Sequence, residues 1–149
     1  MRSYPRRIGR TKGGLNSKLH AVCDNKGRPI VLLLTEGQTS DYRGAATMLP
    51  ALPASVQTLI GDKGYDGDRL RGAIESRGIK PCIPPRRGRK NPTTYCKRTY
   101  KRRNVIERMF GVLKDWRRIA TRYNRCAETF LAAIVIAATL AFWINESWA

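Results

Sequence analysis

The stretch YKRRNVIERMFGVLK, residues 100–114, has the helical period that most constrains how this chain folds. At about 100° per residue, Tyr100, Arg103, Glu107 and Lys114 fall within an arc of roughly 60°. The opposite half of the helix is apolar and is formed by Ile106, Met109, Phe110, Val112, Leu113 and Trp116. The pattern predicts one helix over 100–116 that docks on a core and presents Glu107 on a basic stripe. A solvated charged face is the simpler alternative.

The charge of the chain indicates a polyanionic partner. Lys and Arg number 29 against 11 Asp and Glu, which gives a net charge of +18 over 149 residues. Each phosphate that such a surface neutralises releases condensed counterions, and this release favours binding. DNA, a structural RNA or an anionic membrane surface would each be a suitable partner for a chain of this charge. The length suits a single domain with its own core, and an apolar content of 42% argues against a disordered basic tail.

The cysteines and the apolar run near the end of the sequence indicate whether the chain binds zinc, where in the cell it is found and whether it crosses a membrane. Cys23, Cys82, Cys96 and Cys126 form no C-x-x-C pair and His20 is the only histidine, so the pattern disfavours a zinc site. Without a secretory leader, reduced thiols in the cytoplasm are expected. The apolar run 130–144 is shorter than the roughly 20 residues that span a bilayer. It predicts a buried helix over about 127–146 and no membrane partner.

The first part of the chain predicts a hairpin preceded by a basic arm. Residues 1–14 hold five cations and no acid, and they suggest either an arm on the nucleic-acid side or a frayed terminus. Strands are predicted over 15–24 and 29–36, joined at the turn 24–27. Asp24 is read as a turn residue in preference to a catalytic acid.

The segment 56–84 predicts a strand, a helix and a second strand. The first strand ends at Gly61 with Asp62 immediately beyond it, and ligands of open α/β sheets bind at this end of a strand. Asp66 is predicted to cap a helix over about 67–77, and a strand follows over 79–84. Ahead of this segment, Ser40 or Asp41 is predicted to cap a helix that runs to about Leu49.

Residues 80–103 carry ten cations and no acid, so they form the predicted DNA-contacting segment. Tyr95 and Tyr100 interrupt it and would either stack on bases or pack beneath the loop. The predicted DNA contacts here and just beyond are Arg86, Arg87, Arg89, Lys90, Lys97, Arg98, Arg118 and Arg122.

Asp62 and Glu107 are the carboxylates that suit phosphodiester chemistry. Two Mg²⁺ ions about 4 Å apart activate water and stabilise the leaving oxygen without a histidine, and Mn²⁺ is an alternative ion. Hard carboxylate oxygens are the ligands that such ions prefer. Since no serine or cysteine nucleophile is arranged for catalysis, metal-assisted hydrolysis is the mechanism that these residues support best.

The spacing Tyr100, Arg103, Glu107, Lys114 resembles the signature around the catalytic glutamate of DDE-class insertion-sequence transposases, in particular the second reading frame of the family-five group. The segments GRTKGGLNSKLHAV, LLTEGQTSD, LIGDKGYD, IPPRRGRK and RRIATRYNR support the resemblance over nearly the whole chain. It implies an α/β fold with a ribonuclease-H-like mixed sheet and flanking helices. It also implies cleavage and strand transfer at element ends on double-stranded DNA.

The resemblance assigns roles to individual residues. Asp62 corresponds to the second acid of the triad and Glu107 to the third, both holding metal. Arg103 and Lys114 are implied to contact phosphate, and Tyr100 belongs to the same signature. Many members carry a histidine where this chain has Ser40.

One departure from the family concerns the first acid. It lies on a strand that would precede residues 1–14, so the fold is expected to be truncated at its N-terminus, marginal alone and catalytically incomplete. The product of an upstream overlapping frame would then complete it. A non-catalytic, basic DNA-binding remnant is the alternative, and a homo-oligomer stays open.

Overall fold

The computed structural model describes residues 6–145 of the chain. The chain divides into two compact units. We call the first the hairpin unit; it contains the described residues up to Thr39 and those from Val105 onward. The second, Ser40–Asn104, is called the central unit. Asp62 therefore belongs to the central unit and Glu107 to the hairpin unit.

The hairpin unit contains a three-stranded antiparallel sheet in the order β1-β2-β3. Its strands are β1 at Gly9–Thr11, β2 at Gly14–Cys23 and β3 at Pro29–Glu36. The turn between β2 and β3 forms because the Asp24 carboxylate accepts hydrogen bonds from the backbone N–H groups of Lys26 and Arg28, both at 2.9 Å. Gly27 in this turn has a φ of 86°, which glycine adopts without steric cost. Asp24 is a turn residue here.

The predicted arm over 1–14 is in part a strand. β1 pairs with β2 in the register Gly9 to Asn16 and Thr11 to Gly14. The tight reversal between them places Gly14 at a φ of 100°. The residues between Thr11 and Gly14 therefore form a hairpin turn. Residues 1–5 of the expected arm lie outside the described residues.

Three helices complete the hairpin unit: α4 at Asn104–Lys114, α5 at Arg117–Ala120 and α6 at Ala127–Thr139, the last continued by a π turn at Leu140–Ile144. α6 covers β3, where Leu34 packs with Phe130 and Ile134. Met109 and Leu113 of α4 pack against the small residues Ala137 and Ala138 of α6. The apolar face that the helical period predicts on α4 is therefore docked in this core.

The last helix is less buried than its composition suggests. Ile134 and Ala137 are buried, but Ile136 is 59% exposed and Ile144 65% exposed. Among the described helices, only the 18 residues Ala127–Ile144 are long and apolar enough to cross a membrane. The core helix of a soluble protein passes the same test, and the buried side chains of α6 serve as core here. The predicted buried helix over about 127–146 is therefore buried on one face and exposed on the other.

The central unit contains a strand, a helix and a parallel strand. β4 at Thr58–Ile60 pairs with β5 at Lys80–Cys82, and α2 at Asp68–Glu75 connects them. α1 at Asp41–Met48 precedes β4, and the Ser40 hydroxyl caps it by accepting from the N–H of Arg43 at 3.3 Å. The core of the unit is formed by Met48, Leu49, Leu52, Leu70, Ile74, Ile79, Cys82 and Ile83.

The continuous helix predicted over 100–116 is divided into shorter elements. α3 covers Lys97–Tyr100, a 3-10 turn covers Lys101–Arg103, and α4 ends at Lys114, before Trp116. A 3-10 turn has about 3.0 residues per turn, so the stripe calculated for one α-helix does not extend back from Glu107 to Tyr100. Tyr100 instead meets Tyr95 edge to face with ring centroids 5.5 Å apart, and the Arg103 guanidinium lies 5.9 Å from the Tyr100 ring.

The sheet arrangement differs from the expectation of one mixed sheet. Within residues 6–145 the strands form two sheets, one antiparallel in the hairpin unit and one parallel in the central unit. The chain is an α/β protein with both strand orientations present.

Candidate active site

Asp62 lies where a parallel strand ends and a tight turn begins. Pairing continues past β4, because the Gly61 N–H donates to the Cys82 carbonyl at 3.3 Å. Asp62 then caps the 3-10 turn Lys63–Tyr65, and its Oδ1 accepts the N–H of Gly64 at 2.6 Å. Among the hydrogen bonds within residues 6–145, its Oδ2 accepts none. One oxygen of this half-buried carboxylate is fixed by the backbone, and the other is available for a cation.

Side chains at the two glycines beside Asp62 would crowd the turn. A Cβ built on Gly64 would stand 2.8 Å from Asp62 Oδ1. A Cβ on Gly61 would stand 3.3 Å from the Tyr65 ring and 3.4 Å from Ile83. The turn is therefore close-packed around the carboxylate.

Asp66 was predicted to cap α2, and this prediction was wrong. The N-cap of α2 is Gly67, and no side chain caps it. The Asp66 side chain is instead 0% exposed and forms ion pairs with Arg71 Nε at 2.7 Å and Arg89 Nη1 at 2.9 Å. The backbone N–H of Arg86 donates to its other oxygen at 2.8 Å. Asp66 therefore joins α2 to the loop that follows β5.

The environment of Asp66 lowers its pKa. Burial removes water from the carboxylate and raises the pKa, but the hydrogen bonds from the Arg86 N–H and from Arg71, with the two guanidinium charges, outweigh burial. Nearby, the pKa of Tyr65 is raised to about 12. Burial is the largest cause, and the negative charges of Asp41 and Asp62 add to it. Tyr65 therefore keeps its proton at neutral pH.

Glu107 lies in the first turn of α4 and is exposed. Met109 and Leu113 are each 1% exposed and fix the opposite side of this helix in the core of the hairpin unit. In the part of the chain that the structure describes, no group of three Asp, Glu, His or Cys side chains could hold a metal ion. Asp62 and Glu107 supply hard oxygen donors of the type that Mg²⁺ prefers, and each does so from its own unit.

Three of the predicted DNA-contacting arginines form contacts inside the protein. Arg86 donates to the carbonyls of Lys63 and Gly64 at 3.3 and 2.8 Å. Arg89 pairs with Asp66 and Asp68. Carboxylates of the protein itself thus neutralise part of the basic segment 80–103, which the sequence assigned to phosphates alone.

Arg122 is the third of these arginines. Its guanidinium donates to the carbonyls of Arg6 at 2.6 Å and Asn124 at 2.8 Å, and it also bonds the Ser17 hydroxyl. It lies 5.1 Å from the centroid of the Phe130 ring. This side chain fastens the start of the described chain to β2 and α6.

All but one of the other predicted cations are arranged differently; the exception is Arg103, which lies against the Tyr100 ring. For six exposed side chains, the structure of residues 6–145 contains no hydrogen bond or ion pair to protein: Arg87, Lys90, Lys97, Arg98, Lys114 and Arg118. These six cations are available to a polyanion.

The sequence did not reveal the Asp66 cluster. A signal for it was present, because ten cations without an acid over 80–103 can pair with acids elsewhere in the chain, such as Asp66 before α2 and Asp68 at its first position. Only the fold brings the side chains of Asp66, Arg71 and Arg89 together.

An α/β fold with a surface of exposed cations is suited to a polyanionic partner. Residues 3–142 match the family described as "Transposase DDE domain". The chain belongs to this family and is a DDE-class insertion-sequence transposase.

Two relatives carry the name "Putative transposase for insertion sequence element", followed by IS402 in Burkholderia cepacia and IS6501 in Brucella ovis. The first is 31% identical over 156 residues, covering 93% of this chain and 72% of the relative. The second is 34% identical over 133 residues, covering 88% of this chain and 100% of the relative. No solved structure matches the chain.

Proposed function

We propose that this transposase catalyses metal-dependent cleavage and strand transfer at the ends of an insertion sequence. Asp62 and Glu107 are its second and third acids. The observation that carries the proposal is the position of Asp62, which follows a parallel strand with one oxygen held at 2.6 Å by the Gly64 N–H. Such a carboxylate is pre-organised to hold a cation, since its rotamer is fixed before the ion binds.

Mg²⁺ ions bound by these carboxylates would polarise the scissile phosphate and lower the pKa of the attacking water or 3′ hydroxyl. In this proposal Asp62 contributes its Oδ2, and Glu107 contributes its carboxylate from the first turn of α4. The phosphate that is cleaved is itself negatively charged, and cationic side chains beside it would stabilise that charge. Lys114 and Arg103 of the signature have this role.

Double-stranded DNA is the proposed partner, both at the element ends and at the target. The six available cations would contact the phosphate backbone, and these contacts position the DNA without reading its sequence. Tyr95 and Tyr100 already pack against each other edge to face. Packing beneath the loop is therefore favoured over base stacking for this pair.

The first acid of the triad would come from a strand outside the two sheets described, in a ribonuclease-H-like arrangement. Within residues 6–145, β3 pairs with β2 on one side only, and β4 pairs only with β5. Unpaired backbone groups on buried strands each cost about 1–3 kcal/mol, so an added strand would stabilise the protein. The product of an overlapping upstream frame is the proposed source of this strand.

The test uses the intact element in cells, so that every reading frame is present. Asp62→Asn and Glu107→Gln should each abolish transposition, while binding of the purified protein to double-stranded DNA persists. Glu75→Gln is the matched control because Glu75 is an exposed acid near the end of α2. Transposition at the control level in the Asp62→Asn variant would overturn the assignment.

A second candidate function is a DNA-binding remnant without catalysis. The observation in its favour is that the described residues contain no cluster of three metal-binding side chains. In that case an element carrying the unaltered chain would not transpose, and all three variants would bind DNA equally.

A further inference from the structure

The loop that follows β5 closes onto the turn that carries Asp62. Arg86 in this loop donates from Nη2 to the Gly64 carbonyl at 2.8 Å and from Nε to the Lys63 carbonyl at 3.3 Å. Its own N–H donates to Asp66 at 2.8 Å. Backbone and side chain of one residue thus bind three points on the segment 63–66.

The loop itself is anchored by a buried ion pair. The side chains of Asp66 and Arg71 are 0% and 7% exposed, and they lie 2.7 Å apart. Arg71 also donates at 2.7 Å to the carbonyl of Ile83, the residue that directly follows β5. The position of Arg86 is therefore set by the core of the central unit, although its guanidinium is at the surface.

One peptide group connects Arg86 to Asp62. The Lys63 carbonyl that accepts from Arg86 and the Gly64 N–H that donates to Asp62 belong to the same planar unit. Fixing the oxygen of this plane fixes the direction of its N–H. A donor on the carbonyl also polarises the peptide and strengthens the hydrogen bond at its other end.

We propose that Arg86 is a positioning residue for Asp62, which it holds through the Lys63–Gly64 peptide, and that it is not a phosphate contact. This inference rests on the proposed function of Asp62 as a metal-binding acid. Groups that orient a ligating carboxylate typically change metal affinity or activity about 10–100-fold when removed.

The experiment compares Arg86→Ala with Arg87→Ala, its exposed neighbour. Both substitutions remove one cation, but only Arg86→Ala removes hydrogen bonds to the turn that carries Asp62. For Arg86→Ala, assayed with the products of every reading frame of the element present, we expect about a tenfold rise in the Mg²⁺ concentration that gives half-maximal strand transfer. DNA affinity measured in EDTA should stay within about twofold. Arg87→Ala should weaken DNA binding and leave the Mg²⁺ midpoint unchanged.

A metal-free readout accompanies the kinetics. Hydrogen exchange of the Gly64 amide, measured by NMR on the folded protein without metal, should be faster in Arg86→Ala and unchanged in Arg87→Ala. Gly64→Ala perturbs the same contact from the other side, since its Cβ would displace Asp62 Oδ1. It should raise the Mg²⁺ midpoint in the same direction, which keeps the test valid if Arg86→Ala fails to fold.

The outcomes separate this inference from the function on which it rests. If Arg86→Ala behaves like Arg87→Ala while Asp62→Asn is inactive, Arg86 is a DNA contact and only the inference falls. If Asp62→Asn still transposes, the proposed function falls first. An unchanged Mg²⁺ midpoint in both Arg86→Ala and Gly64→Ala also overturns the inference.

Discussion

Asp62 and Asp66 lie four positions apart and have different environments. Asp62 is half-buried and accepts one hydrogen bond from the turn that it begins. Asp66 is buried and accepts from two guanidinium groups and one backbone N–H. A buried carboxylate that already accepts three hydrogen bonds, two of them from guanidinium groups, has little capacity to bind an ion. The second acid in the sequence DKGYD is therefore structural and the first is the candidate ligand.

Asp66 should contribute to stability in a way that depends on pH. Its pKa in the folded protein lies below the ordinary value of 3.8, so as pH falls the unfolded state takes up the proton first. The contribution is complete well above pH 3.8 and is lost as pH falls from there through the folded pKa. Urea unfolding at about pH 6 and about pH 3 measures the difference.

The control for this prediction is Asp66→Asn. It removes the counterion of buried Arg71 and should cost about 3–5 kcal/mol near neutral pH. The variant should also lose less stability on acidification than the unaltered protein. Asp24, whose pKa is lowered by the hydrogen bonds of its turn despite the opposing effect of burial, would supply the remaining dependence. Equal acid sensitivity in both proteins would contradict the role of Asp66.

Among the elements, α2 connects β4 to β5 and carries Arg71 of the buried pair. Its inner face is formed by Leu70 and Ile74, which are 3% and 1% exposed. The helix ends because Gly78 adopts a φ of 73° and its N–H bonds the Glu75 carbonyl at 2.8 Å. This left-handed residue redirects the chain into β5. The stability of α2 therefore affects the placement of the loop that contacts the Asp62 turn.

Two glycines of this segment should respond in opposite ways to alanine. Gly72 lies inside α2, where a Cβ would meet no atom within 4 Å, so Gly72→Ala should stabilise the protein by about 0.5–1 kcal/mol. Gly78→Ala forces a Cβ into the left-handed region and should destabilise by about 1 kcal/mol. Thermal unfolding of the two variants beside the unaltered chain measures both effects. A destabilising Gly72→Ala would contradict the helix boundaries.

At the scale of the whole molecule, the excess of positive charge is partly compensated internally. Of the predicted DNA contacts, Arg86, Arg89 and Arg122 donate to carbonyls or carboxylates of the protein. Because those donors are directed at fixed partners, the net charge of +18 overstates the number of cations that can pair with phosphates.

Salt dependence should distinguish the two kinds of arginine. Removing an exposed cation, as in Arg87→Ala or Lys90→Ala, should reduce the slope of log affinity against log salt by about one. Arg122→Ala should leave this slope nearly unchanged and lower the melting temperature, since it releases the carbonyl of Arg6 and the Ser17 hydroxyl. Fluorescence anisotropy of labelled duplex DNA over a salt series makes the comparison. Equal slopes in Arg87→Ala and the unaltered protein would refute the distinction between cations that contact phosphate and arginines that are paired within the protein.

The sequence alone determined the features that depend on neighbouring residues. The Asp24–Gly27 turn, the Ser40 cap and the apolar face of α4 are set by contacts within a few positions, so local chemistry predicts them. The spacing from Tyr100 to Lys114 likewise indicated the family, which residues 3–142 then matched. A motif of this kind is preserved in the order of residues and needs no fold to be recognised.

Tertiary structure decided what depends on residues far apart in the chain. The helical period could not show that Lys101–Arg103 form a 3-10 turn, because local preferences for the two helix types are similar. Asp66 is of a residue type that often caps helices, but here it is the counterion of Arg71 and Arg89. This role arises because the loop after β5 packs against α2. The side chains of Arg86 and Arg122 likewise found carbonyl partners only after the chain had folded. The number of cationic side chains follows from the sequence, but the fold decides which of them can still contact DNA.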